Sequence, residues 1–331
     1  MAPVKAAILG FGTVGQGIYT IVNERKQQLE KTIGTPIEIA AILVRDLDKT
    51  RPETPGVLIT DRFEEILAIP DLKVVFEAIV GEEPARTYLE QAIAAGCHVV
   101  TANKVMYAKA APSLERQARE QGTGIGYEAT VAGGVPVIKT IDNLNLSNEV
   151  TGIQGILNGT SNFILTKMRK ESCTFEEVLK EAQELGYAEA DPTNDVSGFD
   201  AFCKLMILSG LSFGEQPDWE NVPMEGIDAL SLDEVIDADR QGLRYRHIAD
   251  VRRGEDGSIQ ASVGPVLIGP DHPLYGIDGV DNAVAIETAY AGTLTVIGPG
   301  AGMLPTASVM VEDAAVLLRK HANFRELVTR S

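Results

Sequence analysis

Residue pairings that staple or arm many proteins are scarce in this sequence. It has three cysteines, Cys97, Cys173 and Cys203, an odd number with no CxxC spacing. That points away from a disulfide framework and towards reduced thiols in a cytoplasm. Its four histidines are scattered and form no HxxxH, so no transition-metal site is expected. Positive charge is short as well. With 29 Lys and Arg against 47 Asp and Glu, the net charge of −18 leaves no basic patch for nucleic acid. The same balance disfavours an anionic membrane surface. No apolar run reaches the length of a membrane span, and the start, MAPVKAAILG, is too short in apolar residues for a signal peptide. No internal repeat or low-complexity tract is visible.

What remains is an ordinary globular composition. Of 331 residues, 44% are hydrophobic and 23% charged, enough for a real core and long enough for two domains. The opening VKAAILGFGTVGQGIYTIV reads as an apolar strand, then Gly10-x-Gly12-x-x-Gly15, then an amphipathic helix. In a dinucleotide site Gly10 permits the tight turn, Gly12 admits a pyrophosphate, and Gly15 lets helix pack on strand. The alternative is a purely structural glycine turn. The polar run NERKQQLEK is read as a prolongation of that helix. At the end of the next strand, IEIAAILV, stands Arg45, where an arginine can hold a 2′-phosphate. This favours NADP, with NAD or a plain surface arginine as alternatives. The strands KVVFEAIV, HVVTANK and GTGIGYEA follow with helices between them, which implies a parallel sheet. Function gathers beyond the carboxyl ends of such strands, where Thr101 and Lys104 fall.

The second half changes pattern. EVTGIQGILNGTSNFIL reads as a strand entering a helix, with Thr160 or Ser161 as a candidate N-cap. Later strands look antiparallel, and the segment PTASVMVEDAAVLLRKHA is helical and expected to pack on the first domain. The glycines of GPGAG, Gly300 and Gly302 among them, form a second close backbone approach or a hinge. The stretch AEADPTNDVSGFDAFCK places Glu189, Asp191, Asp195 and Asp200 ahead of Lys204. Asp200 and Lys204, four apart, share a helix face. A lysine inside so apolar a helix, FCKLMILSGLSF, is not an ordinary surface lysine.

These segments together resemble the homoserine dehydrogenases. The resemblance rests on Ala182, Gly186, Tyr187, Asp191-Pro192, Asp195, Gly198, Asp200 and Lys204, with GFGTVG, TANK, EATVAGGVP, NGTSNFIL and GPGAG. It implies an α/β fold: a Rossmann-type doubly wound parallel sheet plus an α+β substrate and dimerisation domain, over 1–130 with 300–331 and over 131–299. It implies NAD(P)H-dependent reduction of L-aspartate 4-semialdehyde to L-homoserine, in a cytoplasmic homodimer. By the same resemblance Lys204 is the proton donor, and Lys104 lies near nicotinamide and substrate. Glu189 holds the substrate ammonium, with Asp195, Asp200, Thr160 and Tyr187 beside it. Gly10, Phe11, Gly12, Thr13, Val14, Gly15, Arg45, Thr101, Lys104, Gly300 and Gly302 bind cofactor. A sodium ion sits at Glu128, Val131, Gly133 and Val135, which a glycine-rich turn alone would not reveal. Many members continue into a threonine-binding regulatory domain. This sequence stops at RKHANFRELVTRS, so only weak, competitive inhibition by threonine is expected. Rival readings are another Rossmann enzyme on an amino-acid skeleton, such as a diaminopimelate dehydrogenase, or a non-catalytic dinucleotide sensor, which would need neither lysine.

Overall fold

Apolar strands buried on both faces organise the first part of the chain, as a parallel sheet flanked by helices requires. The computed structural model describes residues 2–329, with side chains through Arg319. The strands are β1 (Val4–Leu9), β2 (Ile37–Leu43), β3 (Leu58–Thr60), β4 (Leu72–Glu77), β5 (His98–Thr101) and β6 (Ile125–Gly126). They run in the order β3-β2-β1-β4-β5-β6, and every pairing is parallel. The order reverses between β1 and β4, which makes the carboxyl ends of those strands the switch point where ligands bind in doubly wound sheets. The intervening helices are α1 (Thr13–Glu24), α2 (Lys26–Ile33), α3 (Phe63–Leu67), α4 (Ala85–Ala94) and α5 (Lys104–Glu120).

The expected single long first helix is two. Arg25, at φ −101° and ψ 14°, leaves helical geometry, and the chain restarts as α2. The break lets Leu29 and Ile33 join the same core as Ile18 and Val22.

The chain divides into two compact units, residues up to Gly134 with the segment from Gly302 on, and Val135–Ala301. The second contains α6 (Val137–Leu144), β7 (Val150–Ile156), α7 (Gly159–Glu171), α8 (Phe175–Glu184), α9 (Thr193–Val196), α10 (Phe199–Phe213) and α11 (Leu232–Arg240). Its remaining strands are β8 (Arg244–Arg253), β9 (Ile259–Ile268), β10 (Asp281–Thr288) and β11 (Gly292–Pro299). These form an antiparallel sheet, β11-β10-β7-β8-β9. The segment AVAIETAYAGTLTVIG is thus a hairpin, turning where Gly292 adopts φ +74°.

The last helix, α12 (Met303–Thr329), belongs to the first unit. Gly17 allows its approach, since a Cβ there would stand 2.7 Å from Met303 O and 2.8 Å from Ala307 Cβ. Ala307, Met310, Ala314 and Leu318 complete the core around Ile8 and Ile18.

Candidate active site

In the first unit the glycines of the β1–α1 turn have separate geometric duties. Gly10 adopts φ +94°, and a Cβ on it would meet Ala78 O at 2.7 Å. A Cβ on Gly15 would lie 2.1 Å from Gly10 O, so only glycine lets α1 start this close to the strand. Gly12, the N-cap, has nothing within 4 Å of its Cβ position and caps α1 without a side-chain bond. An open approach onto uncapped N–H groups fits a pyrophosphate. Phe11 is buried, while Gly12 and Thr13 are exposed.

Arg45 is exposed two residues past β2. In the same loop Arg51 is tied back to Lys49 O at 2.8 Å and to Asp46 O, and Asp46 accepts from the Asp48 N–H at 2.9 Å. Beyond β5, Thr101 is fully buried and Asn103 caps α5 by accepting from Met106 N–H at 3.1 Å. Lys104 is therefore the first residue of a helix whose start is fixed by its neighbour.

In the second unit, the polar residues of the opening of α7 and α10 converge. Gly198, left-handed at φ +89°, starts α10; a Cβ there would come within 3.1 Å of His247 Nε2. One turn on, Asp200 and Lys204 pair at 2.7 Å, with side-chain exposures of only 6% and 10%. The Lys204 ammonium also donates to Leu157 O at 2.6 Å. Asn158 donates to Asp195 Oδ1 at 2.8 Å and to Asp200 Oδ2 at 2.9 Å. Its own Oδ1 accepts from Ser161 N–H at 2.8 Å, so Asn158, not Thr160 or Ser161, is the N-cap of α7. Ser161 and Thr160 instead clamp the following segment: their hydroxyls donate to Asp195 O at 2.8 Å and to Tyr187 O at 2.7 Å. A buried ion pair held from both sides keeps a charged lysine away from bulk water, which suits proton transfer.

Thus Lys204, Asp200, Asp195, Thr160 and the backbone of Tyr187 come together around Asn158, a residue that the sequence pattern did not single out. Its position between a strand end and a helix was the available signal. Glu189 is exposed, and the Tyr187 side chain is 46% exposed against Phe163. Asp191 serves its own turn, accepting from Thr193 Oγ1 at 2.6 Å, which with the Thr193 N–H holds its carboxyl below the usual range. Gly300 has a packing reason, because a Cβ there would lie 1.9 Å from Asn282 Oδ1. Gly302 adopts φ +126° ahead of α12. The 128–135 turn carries two consecutive left-handed residues, Ala132 and Gly133, both at φ 54°. The Glu128 side chain is 1% exposed and Val131 and Val135 are buried. Among the described residues no group of three or more His, Cys, Asp or Glu side chains could hold a metal, and no helix is long and apolar enough to cross a membrane.

A Rossmann-type sheet with an open glycine cradle, on a chain that also carries a buried lysine–carboxylate pair, defines a dinucleotide-dependent oxidoreductase. Residues 10–128 match the family model "Homoserine dehydrogenase, NAD binding domain", and residues 136–315 match "Homoserine dehydrogenase". A homoserine dehydrogenase of Bacillus subtilis is 40% identical over 321 residues, covering 96% of this chain and 74% of that protein. The crystal structure of a homoserine dehydrogenase from Thiobacillus denitrificans is 39% identical, with a TM-score of 0.93 over 97% of this chain and 74% of that one. A hyperthermophilic archaeal homoserine dehydrogenase, solved in complex with NADPH, is 28% identical, with a TM-score of 0.81 over 96% and 98% of the two chains. The chain belongs to the homoserine dehydrogenase family.

Proposed function

We propose that this chain catalyses the reversible NAD(P)H-dependent reduction of L-aspartate 4-semialdehyde to L-homoserine, on the route to threonine, methionine and isoleucine. The buried Lys204–Asp200 pair, on a chain of this family, is the observation that carries the reading. A bound reduced nicotinamide supplies the hydride. Negative charge then builds on the aldehyde oxygen, and the Lys204 ammonium neutralises it and donates the proton. In the oxidation of homoserine Lys204 takes the proton back. Asp200 and Leu157 O hold the ammonium in place, and Asn158 holds Asp200. Lys104 adds a second positive charge near the reacting atoms. Glu189 receives the substrate ammonium, with Asp195, Thr160 and Tyr187 shaping that end.

Gly10, Phe11, Gly12, Thr13, Val14 and Gly15 cradle the pyrophosphate, and Thr101, Gly300 and Gly302 complete the nucleotide contacts. Arg45, exposed past β2, favours NADP over NAD by pairing with a 2′-phosphate. Carbonyl oxygens of Glu128, Val131, Gly133 and Val135 hold a sodium ion; the left-handed pair Ala132–Gly133 supports a turn of this kind, and a hard cation takes oxygen ligands. The protein works as a homodimer through the sheet of the second unit. The exposed apolar residues Leu294 and Ile297 on β11 and Val266 and Leu267 on β9 support that reading. The free cysteines Cys97, Cys173 and Cys203 suit a reducing cytoplasm.

The test is a steady-state assay of the purified protein with aspartate semialdehyde, following nicotinamide absorbance with NADPH and NADH in parallel. Turnover with NADPH exceeding that with NADH is expected. No oxidation of either cofactor would refute the reading.

A further inference from the structure

Glu77 closes β4 and lies between β1 and β5, opposite Leu9 on one side and Thr101 on the other. The three preceding residues, Val74, Val75 and Phe76, are fully buried and apolar, and Glu77 is just as buried. An acid at such a position is not a packing choice, because a carboxylate without exposure is costly unless its oxygens are bonded. Both are. Oε1 accepts the Ile79 N–H at 2.6 Å, and Oε2 accepts the Thr101 hydroxyl. The Thr101 hydroxyl oxygen accepts the Asn103 N–H at 2.9 Å. Asn103 then reaches back across the sheet, donating to Ile79 O at 3.2 Å and Gly81 O at 2.6 Å, while its Oδ1 caps α5.

This circuit ties the loop leaving β4 to the turn leaving β5, and its last member sets the helix that begins with Lys104. The glycine turn is registered to the same loop, since Gly10 packs against Ala78 O. Three segments at the switch point therefore share one keystone.

We propose that Glu77 is a positioning residue for the cofactor: its carboxylate locks the Ile79–Gly81 loop and the Thr101–Lys104 turn in the arrangement that receives the nicotinamide end of the dinucleotide. The inference rests on the dehydrogenase reading above. Burial pushes the Glu77 carboxyl up to about 7 against hydrogen bonds from Thr101, Ile79 and Asn103 that lower it, so the fold keeps an acid whose ionisation costs stability.

The experiment compares Glu77→Gln, Glu77→Ala, Thr101→Val and the double variant Glu77→Ala/Thr101→Val. NADPH affinity is read by fluorescence titration, KM for NADPH and homoserine by kinetics, and folding by thermal unfolding near pH 8. Glu77→Ala and Thr101→Val should each weaken NADPH binding about tenfold, the loss of one charge-assisted bond. The double variant should stay within about twofold of the weaker single, because both changes break one circuit. Glu77→Gln should fall between wild type and Glu77→Ala while unfolding no earlier than wild type, and KM for homoserine should hold within about twofold. Wild-type NADPH affinity in both Glu77→Gln and Thr101→Val would overturn the proposal, as would a loss of affinity in Glu77→Gln that merely tracks earlier unfolding. A wild-type protein that binds neither NADPH nor NADH overturns the dehydrogenase reading and this inference with it.

Discussion

Replacing Lys204 by methionine removes the proposed proton donor, but it also does something else that has to be separated from catalysis. Methionine has nearly the same length and suits the apolar helix around position 204. It leaves the Asp200 carboxylate, 6% exposed, without the countercharge that stood 2.7 Å away. Breaking a buried ion pair from one side typically costs about 3–5 kcal/mol. Against a total stability of about 5–15 kcal/mol, that is enough for inactivity to mean partial unfolding. The double variant Lys204→Met/Asp200→Asn removes the stranded charge and keeps an oxygen for the Asn158 amide. It should recover most of the lost thermal stability. Its kcat should nonetheless stay about 10²–10⁴-fold below wild type, as for the loss of a general acid. NADPH affinity, read by fluorescence, should be nearly unchanged in both. A double variant that folds like wild type and turns over within a few-fold of it would remove Lys204 from the mechanism.

Glu189→Gln should raise KM for homoserine more than KM for NADPH, since a charge-assisted hydrogen bond is worth roughly 1.5–3 kcal/mol; an unchanged homoserine KM places the ammonium elsewhere. Arg45→Ala should weaken NADP(H) and leave NAD(H) almost untouched, and equal losses in isothermal titration would contradict a 2′-phosphate contact. Glu77 also predicts a pH signature in stability. Burial pushes its carboxyl up to about 7 in the folded protein from 4.5 for a free glutamate, so between those values the folded state holds more protons and stability falls as pH rises. Near pH 5 wild type and Glu77→Gln should unfold alike, and near pH 8 the variant should be the more stable by up to about 3 kcal/mol. Denaturant titrations that run parallel across that window would refute the shift.

The parallel sheet was legible because buried strands and amphipathic helices alternate with punctuation, and the glycine turn because it follows the first strand directly. Lys204 stood out by charge in an apolar helix. What stayed hidden was long-range or cooperative. Asn158 matters through Asp195 and Asp200, 37 and 42 residues away, and no local pattern marks such partners. Glu77 hid inside KVVFEAIV, where one acid at a strand end looks like the edge of an apolar run. The break at Arg25 escaped because good helix formers lie on both sides, and only the demand of Leu29 and Ile33 for the core decides it. The carboxylates of residues 189–200, close in sequence, divide among the exposed Glu189, the turn at Asp191, a half-buried Asp195 that accepts from Asn158, and the buried Asp200.

The return of α12 to the first unit sets an order of events during synthesis. Its residues Ala307, Met310 and Ala314 cover Ile8 and Ile18, yet they leave the ribosome only after all of Val135–Ala301. The unit whose translation begins first is therefore the one that finishes folding last, while the uninterrupted second unit can close as soon as it emerges. Until then the nascent sheet carries a wet apolar flank, the kind of surface that recruits chaperones and drives aggregation. A fragment ending at Gly134 would retain the glycine cradle and still keep that flank open to water.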